Sequence, residues 1–282
     1  MPGPFVVPAG YSWCRLVVLE KLGETMLTTR IAVAVATAGL VAAGLTACSG
    51  GGTSDPAPTV TAIPGDGTLR IASFAPLTGD LSKYAAAQTA GVELAVREAN
   101  NLGGFNGKNI SVIVRDAGDA NEATAAASFK SAQALGVDVI IAPASTSAAS
   151  ALAKAAAGSN VAVVSIASKD NAASGANTST VKADDAFTKR LKQTDPTLGD
   201  TTYGVEAYDA ATAAILAATF AKSDNGQAIS QGLVAVSYKN GITCTSFGAC
   251  ADVLKTQPYI NYVGISGQIT YTPKTAVISF SR

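Results

Sequence analysis

The chain has 282 residues, 48% apolar and 14% charged, with 20 basic side chains balanced by 20 acidic ones and no histidine at all. Lacking a basic excess, it has no stripe to neutralise phosphates, which argues against nucleic acid as a partner. Lacking histidine, it excludes Ser/His/Asp and Cys/His catalysis and disfavours a zinc enzyme.

Met1 to Thr25 carries scattered prolines, Trp13 and Cys14 without periodicity, so residues 1–25 read as a gene-model extension ahead of a true start at Met26. Residues 26–47 read as a signal peptide. Ile31 to Leu45 is uncharged and follows Arg30, and Leu45, Thr46, Ala47 and Cys48 close it with a small-residue cleavage site. That tetrapeptide resembles the lipobox of bacterial lipoproteins; the rival reading is a plain secretory signal with a chance cysteine. The run falls short of the roughly 20 apolar residues of a membrane span. Membrane attachment is therefore expected through lipid on Cys48, and the location is expected to be extracytoplasmic. Residues 48–68, rich in Gly, Ser, Thr and Pro, read as a flexible tether.

From Leu69 apolar runs alternate with Ala-rich helical patterns, which predicts an α/β fold: a Rossmann-like parallel sheet with helices on both faces. A strand is expected over Leu69 to Ala75, then a helix from Tyr84 to Asn101 with Ala87, Gly91, Ala95 and Ala99 as its apolar stripe and Glu93 and Arg97 as a solvated pair. Gly103, Gly104 and Gly107 follow a helix rather than a strand, so they predict a turn and not a phosphate loop. Asn109 to Asp116 is a second strand. Asp119 and Glu122 have capping-box spacing before a helix from Ala123 to Leu135, which ends at Gly136.

Val137 to Ala142 is a nearly continuous apolar run, as in a strand buried on both faces. A helix over Ser145 to Ala157 and a strand over Val161 to Ile166 complete four strand-helix repeats. Beyond Asn171 the periodicity fails, with Lys189 to Lys192 reading as a solvated helix face. It returns in helices over Tyr203 to Lys222, Gly226 to Val236 and Thr245 to Lys255, and in strands over Gln268 to Tyr271 and Ala276 to Phe280. In an exported protein the C-x5-C pair Cys244 and Cys250 reads as a disulfide; as a metal clip it would leave a tetrahedral site half empty.

Right-handed crossovers set the loops after the parallel strands along one sheet edge, where open α/β sheets bind ligands. Those loops carry Thr78, Ser82 and Tyr84, then Ser145, Thr146 and Ser147, then Ser168: hydroxyls, suited to an anion at a helix N-terminus, or to plain N-capping. Asp116, Asp119 and Asp209 are explained by capping and surface solvation. No residue is poised as a general base near neutrality, so no enzyme is expected, and no metal or other cofactor is implied.

The stretch from Ile71 to Ala173 closely resembles the amino-terminal lobe of type I periplasmic binding proteins, in particular the branched-chain amino acid receptors of ABC importers. The resemblance is carried by Pro76, Leu77, Thr78 and Gly79 with Tyr84; by Ala90, Gly91 and Val92; by Asn100 to Gly104, Gly107 and Lys108; and by Asp116, Ala144 to Ser147 and Val164 to Ala167. It implies a solute-binding protein for a small amino acid or amide, with an importer permease as partner. By the same resemblance, Ser145, Thr146, Ser147, Ala167 and Ser168 hold the ligand's carboxylate and ammonium, and Tyr84 lines the side-chain pocket. Lys169 and Asp170 depart from the family's small hydroxyl and proline residues.

A second match covers Phe187 to Lys222, with Leu198, Gly199, Asp200, Thr202, Tyr203, Tyr208 and Asp209, and the family's Cys-flanked helix reappears at Cys244 to Cys250. Between the matches the resemblance implies a missing block of about a hundred residues or more, most of the second lobe. The domain reading is thus a first lobe over 69–173, a junction over 174–183, and a returning segment over 184–282 that completes that lobe. Loss of the second lobe removes half the cleft and the acid expected to meet the ligand ammonium, so impaired binding is expected. The alternatives are a single-lobe envelope lipoprotein that docks a partner or signals, or an inactive remnant.

Overall fold

The computed structural model describes residues 57–118, 122–166, 181–274 and 276–281. The signal peptide, Cys48, Asp119, Ala167 and Ser168 lie outside the described residues. Strand β1 (Arg70–Ala75) leads through a single 3-10 turn, Ser82–Tyr84, into α1 (Ala85–Asn101). Two more strand-helix steps and a fourth strand follow in the expected order: β2 (Ser111–Asp116) and α2 (Glu122–Ala134), β3 (Val139–Ala142) and α3 (Thr146–Ala156), and then β4 (Ala162–Ser165). The remainder comprises α4 (Asp185–Thr194), α5 (Gly204–Ala221), α6 (Gly226–Val236), β5 (Ile242–Cys244), α7 (Phe247–Leu254), β6 (Ile260–Gly264), β7 (Gly267–Thr272) and β8 (Val277–Ser281).

The strands form one sheet in the order β2-β1-β3-β4-β8-β7-β6-β5. The β2-β1-β3-β4 half is wholly parallel, while β7 runs antiparallel to both β6 and β8. Side chains alternate across it as a sheet covered on both faces requires. Ile71, Val139, Ile141 and Val164 enter the core shared with α1 and α5, whereas Ala72, Phe74, Ile140 and Val163 enter the one beneath α2 and α3. Halfway along, the sheet is weakly joined: β4 meets β8 through the single register pair Ser165 and Val277.

The α1 stripe is what admits α5. A methyl group on Gly91 would lie 2.3 Å from the Gly204 carbonyl oxygen, so the two backbones touch where glycines leave room. The expected glycine turn is present as well: Gly103, Gly104 and Gly107 all have positive φ, and at Gly104 a Cβ would meet the Lys108 carbonyl.

Several expectations are corrected. Glu93 and Arg97 are not a solvated pair: both are half-buried, and Arg97 donates to the Arg190 carbonyl oxygen at 3.4 Å. The Lys189 to Lys192 face is not wholly solvated either, because half-buried Arg190 pairs with Glu98 at 2.6 Å and donates to the Tyr208 hydroxyl at 2.9 Å. Nor is the tether loose throughout. The Thr61 amide donates to Gln231 at 2.6 Å, the Ser223 hydroxyl to the Ile63 carbonyl, and the Thr68 amide to Asp224 at 2.8 Å. Residues 57–68 therefore form a strap over the ends of α5 and α6. The disulfide Cys244–Cys250 is present and spans the start of α7. Among the described residues no helix is long and apolar enough to cross a membrane.

Candidate functional site

The sheet changes direction of winding between β1 and β3, since β2 lies to one side of β1 and β3 and β4 to the other. At such a switch point the loops leaving neighbouring strands diverge and open a crevice at their C-terminal ends. Here those loops run from Pro76 to Leu81 after β1 and from Pro143 to Ser145 after β3.

The first loop is tied down by Asp116 at the end of β2. Its carboxylate accepts the Leu77 amide at 3.0 Å, the Thr78 amide at 3.3 Å, the Thr78 hydroxyl at 2.6 Å and the Gly118 amide at 2.9 Å. Partial burial pushes this carboxyl up, but the hydrogen bonds from Thr78, Gly118 and Leu77 outweigh it and hold the group below the ordinary carboxylate range. Thr78 is thus spent on holding the loop rather than free for a solute.

In the second loop Ser145 caps α3. Its backbone is extended, its hydroxyl accepts the Ala148 amide at 3.4 Å, and it lies 3.1 Å from the Ser147 hydroxyl. Ser145 is buried, while Thr146 and Ser147 are exposed at the helix start. Thr146 borders a cavity of about 1460 Å³, bounded also by Ser165 and Ile166 at the end of β4, by Glu206 on α5, and by Tyr271. The structure therefore brings Ser145, Thr146 and Ser147 together at one helix N-terminus, with Thr146 on the cavity wall.

Tyr84 is held differently. Its ring packs edge-on against Tyr203 at 5.2 Å, with the Lys83 ammonium 4.9 Å from the ring centre. Tyr203 precedes α5 with φ of 67°, and Glu206 follows one turn later. Burial, with the nearby Tyr84 and Glu206 charges, pushes the Tyr203 phenol upward. A run of Tyr84, Tyr203 and Glu206 thus leads from the β1 loop toward the cavity that holds Thr146.

Tyr203 and Glu206 did not emerge as site candidates from the sequence. The available signal was the helix itself: residues 204–218 of α5 are buried without exception, so an acid among them lies inside the protein. Asp209 obeys the same logic and corrects the surface-solvation reading. It is fully buried and accepts the Ser266 amide at 2.6 Å, the Tyr262 hydroxyl at 2.9 Å and the Ile265 amide at 3.2 Å. No group of three or more acidic, cysteine or histidine side chains among the described residues could hold a metal ion.

Comparison with known proteins bears on this arrangement. Residues 68–185 match the family described as periplasmic binding protein. No curated protein matches the chain. Among solved structures, the branched-chain amino acid transporter substrate binding protein LivJ from Streptococcus pneumoniae, in complex with isoleucine, is similar at 30% identity, with a TM-score of 0.33. The match covers 35% of this chain and 28% of that one, so the chain spans under a third of that receptor's length. A leucine-, isoleucine-, valine-, threonine- and alanine-binding protein from Brucella ovis is 24% identical over 35% of this chain and 27% of its own, with a TM-score of 0.32. A solute binding protein of an ABC transporter from R. palustris, in complex with 4-hydroxybenzoate, is 14% identical over 76% of this chain and 91% of its own, with a TM-score of 0.49. The part of the chain that is similar to the periplasmic binding proteins, residues 68–185, is thus the part that supplies β1 to β4 and the loops at their C-terminal ends.

Proposed function

We propose that the chain is an extracytoplasmic solute-binding protein of an ABC importer, held to the membrane by lipid on Cys48 and directed at branched-chain or other small amino acids or amides. Its ligand is met by Thr146 and Ser147 at the open N-terminus of α3, with Ser145 fixing that turn, Ala167 and Ser168 after β4, and Tyr84 beside Tyr203. The observation that carries the reading is Thr146: it combines a helix N-terminus, a hydroxyl and a cavity wall at the C-terminal edge of a parallel sheet inside the family-matched segment.

The domain reading belongs to the same proposal: residues 69–173 and the returning segment 184–282 make one lobe, joined by 174–183 where a second lobe would stand. A solute receptor signals its permease by closing two lobes on the ligand. One lobe buries less of the solute than the usual 70–90%, and affinity falls accordingly. Isothermal titration of the purified protein with leucine, isoleucine, valine and small amides tests this. Weak heats that Thr146→Ala reduces by about 1–3 kcal/mol in binding free energy are expected. Absence of heat at millimolar ligand excludes a working receptor.

A second reading, a single-lobe envelope lipoprotein that docks a partner, is favoured by one observation: the described residues form a single sheet. Co-purification of one stoichiometric envelope protein, in the absence of solute binding, would select it.

A further inference from the structure

We propose that the hollow where the strap begins, with the aromatic and basic side chains around it, is a surface that rests on the headgroups of an anionic phospholipid bilayer. The inference goes beyond the solute-binding reading and concerns the opposite edge of the sheet.

The hollow, of about 360 Å³, is bounded by Pro58 and Val60 of the strap, by Phe220 and Ala221 at the end of α5, and by Pro258 and Tyr259 just ahead of β6. Its walls are almost wholly apolar, yet Pro258 is exposed and Phe220 and Tyr259 are only half-buried. The surface continues beyond it. The Tyr259 ring packs edge-on against that of Tyr238 at 5.4 Å, and the Ile242 amide donates to the Tyr259 carbonyl at 3.4 Å, which sets Ile242, 51% exposed, beside the pair. Tyrosines with an apolar ring and a polar tip suit the boundary between acyl chains and water.

Charge selects the partner. Lys222 follows the hollow at the C-terminus of α5, and Lys239 opens the turn after Tyr238; both are exposed. The ion pairs among the described residues use other bases, and Asp224, close to Lys222 in sequence, is buried and accepts the Thr68 amide. An apolar centre flanked by unpaired lysines complements an anionic bilayer, where burial and attraction to the headgroups act together. A second copy of the chain would bring the same lysines and no acid to meet them.

Position supports the same partner. Strand β6 runs parallel to β8, since β7 is antiparallel to both, and β8 runs parallel to β4. The start of β6 therefore lies at the N-terminal edge of the sheet, across from the loops after β1 and β3. The strap joins the body at this edge, so an attachment to a membrane ahead of Pro58 holds this edge toward it and raises the local concentration at which a small surface engages. Contact there turns Thr146 away from the bilayer, toward the medium from which a solute arrives.

The chain from Cys48 onward has no tryptophan, since Trp13 lies ahead of it, and one free thiol, since Cys244 and Cys250 are joined. Coupling that thiol to a maleimide phospholipid supplies an anchor whether or not the cell acylates Cys48. Tyr259→Trp then reports on the N-terminal edge, and Leu77→Trp, at a 45%-exposed position after β1, on the opposite one. In vesicles of brominated phosphatidylcholine with about 30 mol% phosphatidylglycerol, the Tyr259→Trp indole is expected to shift to shorter wavelength and to lose at least about half its emission, and the Leu77→Trp indole to do neither. Combining Lys222→Glu with Lys239→Glu, or omitting phosphatidylglycerol, is expected to restore most of the emission. Equal quenching of the two indoles, no quenching of Tyr259→Trp, or quenching that survives both the charge reversal and neutral lipid overturns the proposal. A wavelength shift that grows with protein concentration without vesicles assigns the surface to a second copy and overturns it too. Should Tyr259→Trp fail to fold, Tyr238→Trp reads the same edge. None of these outcomes touches the solute-binding reading, which calorimetry decides separately.

Discussion

The carboxylate of Asp209 on α5 grips Ser266 twice, accepting its backbone amide at 2.6 Å and its side-chain hydroxyl as well. Ser266 lies in the tight turn between β6 and β7, and at Gly264, the last residue of β6, a Cβ would collide with the same carboxylate, 2.3 Å from its Cγ. One buried acid thereby fastens the antiparallel half of the sheet to the helix that covers the parallel half.

Removing that acid leaves the Ser266 and Ile265 amides and the Tyr262 hydroxyl buried without their acceptor. Asp209→Ala is expected to cost about 2–4 kcal/mol, and Asp209→Asn less because an amide oxygen still accepts. Urea unfolding of the two variants checks this; equal stability of Asp209→Ala and the wild type would refute it.

The contact between α1 and α5 gives a steric prediction. Gly91→Ala places a methyl group 2.3 Å from the Gly204 carbonyl oxygen, and backbone cannot rotate out of the way as a side chain can. A loss of about 1–3 kcal/mol is expected, measured as a lowered thermal midpoint. Gly107→Ala, where a Cβ meets nothing within 4 Å, separates crowding from backbone strain, since its φ of 75° still penalises a side chain.

Asp138 sets a pH dependence. Its carboxylate accepts the Arg70 amide at 2.8 Å, yet burial, with repulsion from Asp224 and Asp66, outweighs that bond and the Arg70 charge and raises the carboxyl to about 7. A folded value above the unfolded one means that the native state binds the extra proton, so this contribution to stability is full below about pH 4 and is lost as pH rises through about 7. Asp138→Asn is expected to flatten the fall of the thermal midpoint between pH 5 and pH 8. A parallel fall in both proteins would count against it.

The strap yields a fourth prediction. Asp224 accepts the Thr68 amide, and Gly65 lies so close that a Cβ there would strike the Asp224 carboxylate. Asp224→Ala is expected to raise amide exchange across residues 57–68 by tenfold or more while leaving α1 protected. Hydrogen exchange read by mass spectrometry would detect it, and an unchanged strap would show that Gln231 and Ser223 suffice.

How much of this was legible depended on periodicity. Val137 to Ala142 announced a buried strand, and Ser145 announced a cap, because both signals are local. Strands β5 and β6 were missed: Ile242–Cys244 is three residues long, and Ile260–Gly264, paired with β5 on one side and with β7 through a tight turn on the other, has no period-2 alternation because its first three residues are all buried. Of α4 only the helix face at Lys189 to Lys192 was read and not its bounds, although Asp184 accepts the Phe187 amide at 2.7 Å in an ordinary N-cap; Phe187 and Leu191 alone make its buried stripe. At the site, hydroxyl residues were found by their place after strands, whereas Tyr203 was not, since its contact with Tyr84 arises only when α5 packs against α1.

The strap finally bears on how far the protein can stray from its proposed anchor. Residues 57–68 are laid against the body, so a stretch that would span about 40 Å when extended, at roughly 3.3–3.6 Å per residue, is withdrawn from the reach of any attachment ahead of it. If lipid on Cys48 holds the protein as proposed, the strap would keep the body that much closer to its bilayer.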